Sequence, residues 1–128
     1  MTVREHLDHR RELGRWGEAA AAEHLRRAGY TIVDRNVRSR YGEIDIVAKD
    51  GSCLVFVEVR TRQSRAFTPE ESVTAAKRRR LAGLGARYLQ DHDLGSAEWR
   101  ADVVAIERGP GGELLRLEHY VSAVEEPE

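Results

Sequence analysis

Between residues 10 and 28, apolar and small side chains recur every three to four positions, at Leu13, Trp16, Ala20, Ala21, Leu25 and Ala28, and Gly29 follows as a stop. This predicts one amphipathic helix. The period then shortens: residues 30–38, 43–49 and 52–60 read as three strands, with Asp50-Gly51 between the last two as a favoured two-residue hairpin turn. Thr68-Pro69-Glu70-Glu71 has the grammar of a capping box with proline at the first helical position. Val73, Ala76, Leu81, Leu84, Tyr88 and Leu89 then carry a helical period to residue 91, with a break expected near Thr74. In residues 99–107 Val103, Val104, Ala105 and Ile106 are apolar in succession, as in a strand covered on both faces, and this strand is expected to lie centrally. After the turn Pro110-Gly111-Gly112, residues 113–121 alternate like an edge strand.

Helix, three strands, helix and two strands imply an α/β fold: a mixed sheet of about five strands flanked by helices, with a parallel, right-handed crossover from the third strand to the fourth. The 128 residues fit a single domain, with frayed ends expected at 1–9 and 122–128. Cys53 is the lone cysteine, which excludes an internal disulfide and reads as a strand residue rather than a nucleophile. The five histidines have no zinc spacing, and no glycine-rich phosphate loop precedes a helix lysine. With neither a signal-like core at the start nor a membrane-spanning run, a cytoplasmic protein without a membrane partner is the expectation.

The net charge of -1 hides an asymmetry. Residues 1–87 carry 18 basic and 12 acidic side chains, whereas residues 88–128 carry 3 and 10, so the two parts stand at +6 and -7. Nineteen of the 21 basic residues are arginine, which grips phosphate with two donors; coding bias explains the number equally well.

The hairpin carries the chemistry. Around Asp50-Gly51 the expected opposed pairs are Val47/Leu54, Asp45/Phe56 and Glu43/Glu58. Glu43, Asp45, Val47, Leu54, Phe56, Glu58 and Arg60 then share one face, and Ile44, Ile46, Ala48, Val55, Val57 and Val59 the other. Carboxylates about 5–8 Å apart on one face repel, unless they share a divalent cation such as Mg²⁺. Pairing with Arg40 or Arg60 at a solvated sheet end is the plain alternative. A third acid favours the cation: Glu18 borders the apolar arc of helix one, among Gly14, Gly17, Ala21 and Ala22, whose small size lets that helix approach the sheet. Lys77 shares a helical stripe with Leu81, Leu84 and Tyr88 and so points inward, either to function or to snorkel.

Glu18 on helix one, Asp45 in GEID and Glu58-Val59-Arg60 on the paired strand resemble the PD-(D/E)xK nuclease superfamily. More narrowly, the run from GRWGEAAAAEHL through RNVRSRYGEID, VFVEVRTR and the Lys77 helix to RADVVAI resembles the YraN-type bacterial proteins, similar in core to Holliday-junction resolvases. The resemblance implies a restriction-endonuclease-like three-layer fold. It implies Asp45 and Glu58 as ligands of Mg²⁺ or Mn²⁺ and Glu18 as an accessory ligand. The superfamily's catalytic lysine position is Arg60 here, and arginine is no base at neutral pH. Lys77, or the cation acting on water by itself, then covers the missing role. The expected function is hydrolysis of phosphodiester bonds in DNA, branched DNA included, with Arg62, Arg65, Arg78, Arg79 and Arg80 on the backbone. The alternative is a non-catalytic nucleic-acid-binding module on the same fold. Resemblance to resolvases also allows a homodimer through the last strand or helix one.

Overall fold

The computed structural model describes residues 1–63 and 69–124. Helix α1 (Val3–Arg27) is followed by β1 (Thr31–Ser39), β2 (Gly42–Asp50) and β3 (Cys53–Arg62), then a 3-10 turn (Pro69–Ser72), α2 (Ala75–Asp91), β4 (Trp99–Arg108) and β5 (Leu114–Val124). The five strands form one sheet in sequence order, parallel only between β3 and β4. That parallel step is the crossover through α2. The fourth strand is interior and buried on both faces, but β3 holds the centre of the sheet.

Each helix covers one face. Ala21, Ala22 and Leu25 of α1 pack on Ile46, Ala48, Val55, Val57, Val104 and Ile106. On the opposite side Leu81, Leu84, Tyr88 and Leu89 of α2 pack on Ile44, Val47, Leu54, Phe56 and Ala101. The result is the three-layer α/β arrangement expected. Gly17 sets the approach of α1, because a Cβ there would collide with the Thr61 hydroxyl on β3. Gly85 does the same for α2, where a Cβ would meet the Phe56 ring at 2.6 Å.

Residues 3–9 are helical: the Thr2 hydroxyl accepts from the Glu5 N–H at 3.1 Å and caps α1. Arg108 binds Glu12 through two 2.7 Å bonds and lies over the Trp16 ring, tying the exposed part of α1 to the end of β4. At the other end, residues 122–124 continue β5. Helix α2 begins at Ala75 rather than Pro69; Thr74, where the break was expected, is its cap and accepts from the Lys77 N–H at 3.2 Å. Thr68 lies outside the described residues.

Two corrections concern the hairpin. Asp50 pairs with Cys53 and Val47 with Phe56, so the turn is Gly51-Ser52 and the register is two residues from the one expected. Gly51, at φ +61°, takes the first central position, where a II′ turn needs glycine. A slip of two keeps every side chain on its face. It nevertheless brings Asp45 to the end of the ladder, beside Glu58 instead of Phe56. Ile44, moreover, belongs to the α2-side core with Val47, not to the α1 side with Ile46. The alternation breaks at Asp45.

Candidate functional site

The ladder between β2 and β3 ends at Ile46–Val57, and there the strands part. Across the gap the Val59 N–H, which has no strand partner on that side, donates to Asp45 Oδ2 at 2.8 Å. One backbone donor is thereby satisfied by a side chain, and the Asp45 carboxyl is fixed beside that of Glu58. Burial pushes the Asp45 carboxyl up, the Glu58 charge raises it further, the Val59 N–H opposes them, and the acid ends at about 8. Near neutrality this pair holds a proton.

Glu18 reaches the same place from α1, as its position beside Gly17 allows. Burial raises its carboxyl, and the charge of Glu43 adds to the effect. Oxygens of Glu18, Glu43 and Asp45 lie within 4.8 Å of one another, the metal-capable cluster among the described residues. Oxygens on opposite sides of Mg²⁺ stand about 4.2 Å apart, so a small side-chain movement closes this set on one ion, and an all-oxygen set suits Mg²⁺ or Mn²⁺. Asn36, on β1 at φ +53°, holds two of the acids: with its amide nitrogen turned to them it donates to Glu18 at 3.0 Å and Glu43 at 2.7 Å.

The other wall is cationic. Asp45, Glu58, Arg60, Lys77 and Arg80 line one cleft of about 200 Å³. Arg60 forms an ion pair with Glu58 at 2.8 Å, while its buried Nε–H has no partner among the described residues. The pairing foreseen as the plain alternative is thus present, but it engages Glu58 and leaves Asp45 and Glu18 crowded. Lys77 is half-buried at the start of α2; the Arg60 charge first, then burial, lowers its ammonium below the ordinary range.

The structure therefore gathers Glu18, Asp45, Glu58, Arg60 and Lys77 from four elements. Arg62 ends β3 near Lys77, and Arg65 lies outside the described residues. The arginine run divides: Arg80 lines the acid cleft, Arg79 is exposed, and Arg78 lines a groove of about 620 Å³ against Val103 and Tyr120. That larger groove has little free acid, because Arg116 and Tyr120 hold Glu70 at 2.6–2.8 Å. Sequence reasoning weighed Glu43 but left it out of the ligand set, and missed Asn36. An asparagine amid strand residues was the available signal, since asparagine tolerates positive φ.

The sequence profile of Uncharacterised protein family UPF0102 matches residues 17–106, a span that starts next to Glu18 and includes every residue of the acid cleft. A UPF0102 protein of Symbiobacterium thermophilum is 54% identical over 105 residues, covering 81% of this chain and 89% of the relative. Another, from Chloroflexus aurantiacus, is 48% identical over 118 residues, covering 91% and 96%. A third, from Moorella thermoacetica, is 50% identical over 113 residues, covering 84% and 94%. With the profile spanning most of the chain and relatives at this identity, the chain belongs to the UPF0102 family, the YraN-type proteins its motifs resemble.

Proposed function

We propose that this protein is a metal-dependent nuclease that hydrolyses phosphodiester bonds in DNA. The observation that carries this reading is the crowding of Asp45 and Glu18, whose carboxyls stay raised although Arg60 engages Glu58 and Arg38 lies 3.6 Å from Glu43, in a cleft walled by Arg60, Lys77 and Arg80. Acids arranged so resist ionisation together, and a divalent cation removes the repulsion. A phosphate needs the opposite environment, and the cationic wall supplies it a few ångströms away.

When bound, Mg²⁺ or Mn²⁺ supplies the positive charge that acidifies a water and offsets charge gathering on the phosphate. Asp45, Glu18 and Glu43 would hold it, with Glu58 beside them. Arg60, which lines the cleft, would neutralise charge on a phosphate oxygen as it develops. Lys77, with its lowered proton affinity, is the side chain of the cleft suited to accept the proton of the attacking water at Nζ.

Calorimetric titration of Mg²⁺ and Mn²⁺ into the protein and into Asp45→Ala, with cleavage assays on linear, single-stranded and four-way-junction DNA, tests the proposal. Metal binding lost in the variant, together with metal-dependent cutting, is the expected result. The Glu58–Arg60 bond favours a second reading, in which the guanidinium stands where a cation would and the protein only binds nucleic acid. DNA binding that survives EDTA, with no cutting at any metal concentration, would replace the first reading by the second.

A further inference from the structure

The hairpin between β1 and β2 ends in a tyrosine that no core requires. Tyr41 is 51% exposed. Its backbone is nevertheless held, because Ser39 Oγ accepts from the Tyr41 N–H at 3.1 Å and donates to the Gly42 carbonyl at 3.3 Å. Gly42, at φ +144°, completes a turn that a side chain there would strain. The ring is thus presented from a defined backbone.

Its surroundings are cationic. The guanidinium carbons of Arg40 and Arg87 each lie 5.0 Å from the ring centroid. Arg40 has no carboxylate within 4.0 Å among the described residues, and Arg87 meets Asp91 only at 3.9 Å. Tyr41, Arg80, Gly83, Leu84 and Arg87 line an open cleft of about 370 Å³ that shares Arg80 and Leu84 with the acid cleft. An exposed ring, arginines with little anionic compensation, and an open cleft that borders the acid cleft fit a strand that offers flat bases and regularly spaced phosphates.

Resting on the nuclease reading above, we propose that Tyr41 selects the substrate: it stacks on an unpaired base of a nucleic-acid strand whose neighbouring phosphate lies in the acid cleft. A base can replace a guanidinium against the ring, since both are flat and π-stacking, and the released arginine then meets a flanking phosphate. A paired base inside a duplex has no free face for Tyr41. The preferred substrate class is therefore a strand with unpaired nucleotides at the cleaved bond: a single strand, a gap or a branch.

Fluorescence anisotropy with a labelled single strand, the same strand with abasic positions, and its blunt duplex, all in Ca²⁺ at one salt concentration, tests this for the native protein, Tyr41→Phe and Tyr41→Ala. The native protein and Tyr41→Phe are expected to prefer the single strand. Tyr41→Ala is expected to weaken it about 5- to 150-fold, the range of one base–aromatic stack, and to weaken the duplex less than twofold. On the abasic strand the native protein and Tyr41→Ala should bind alike. Equal losses on strand and duplex, no loss at all, or a loss that persists on the abasic strand overturns the proposal while leaving the nuclease reading standing. Failure to bind any nucleic acid overturns both. Mg²⁺ affinity, which the exposed ring does not touch, reports that the variants are folded.

Discussion

Asp45 does three jobs with one carboxyl: it satisfies the Val59 N–H, crowds Glu58 and faces Glu18. Asp45→Asn keeps an acceptor for Val59 and removes the charge. Its proton is held to about pH 8, so the native aspartate's contribution is fully present below its unfolded value near 3.8 and is lost as pH rises through about 8. Thermal melts at pH 8 without metal should find Asp45→Asn more stable than the native protein by on the order of 1 kcal/mol or more, and insensitive to Mg²⁺. A native protein of equal stability would mean that the acids are relaxed by partners other than a cation. Lys77→Ala tests the other wall: metal affinity unchanged or slightly raised, and cleavage lowered about 100-fold, as loss of a proton acceptor requires. Unchanged cleavage would leave the proton to the metal-activated water alone. At this scale the sequence disclosed residue types well. The asparagine in RNVRS hinted at an irregular backbone, but not that its side chain bridges two acids on two other elements.

Among the elements, α1 is the one whose placement decides the site. Gly17 permits the close approach to Thr61 that carries Glu18, the next residue, to the splayed strands. Gly17→Ala should cost about 1–3 kcal/mol through overpacking and should weaken Mg²⁺ binding at the same time. Denaturant melts and calorimetry on the same samples check the coupling; a stability loss with native metal affinity would remove Glu18 from the ligand set. The small residues of α1 were readable as an approach signal. The hairpin register was not, because Asp50-Gly51 and Gly51-Ser52 are both acceptable turns and both keep the hydrophobic faces intact. Helix α2 presented a similar choice between two caps, and Thr74 prevails over the proline motif.

For the molecule as a whole, two sets of acids pull stability in opposite directions with pH. Glu70 is held down to about 2 by hydrogen bonds from Arg116, against the effect of burial, and Tyr120 adds to the pull; its stabilisation is present above about 4.5 and lost as pH falls through about 2. Burial alone would raise Asp102, yet His119, the Ser122 N–H and Arg100 outweigh it and lower the carboxyl. Asp102→Ala, which leaves these partners facing a void between β4 and β5, should cost about 3–5 kcal/mol in a denaturant melt. Metal-free stability should decline from mildly acidic pH toward pH 9, and saturating Mg²⁺ should flatten that decline. A slope unchanged by Mg²⁺ would separate the alkaline loss from the acid cleft.

The order of elements, the three-layer class, the core-facing residues and most of the acids and bases of the cleft were legible in the chain's own patterns. These follow from periods of two and 3.6 residues and from local turn and cap chemistry, all of which act over short stretches of chain. Tertiary structure alone decided that β2 and β3 part at Asp45 and that Ile44 crosses to the α2 side. It likewise decided that Glu43 and Asn36 join Glu18, that Arg60 turns onto Glu58, and that Tyr41 lines a cleft bordering the acid one. Those outcomes depend on where strands cease to pair and how closely helices pack, and they bring together residues from β1, β2, β3, α1 and α2 whose separation along the chain no local pattern encodes.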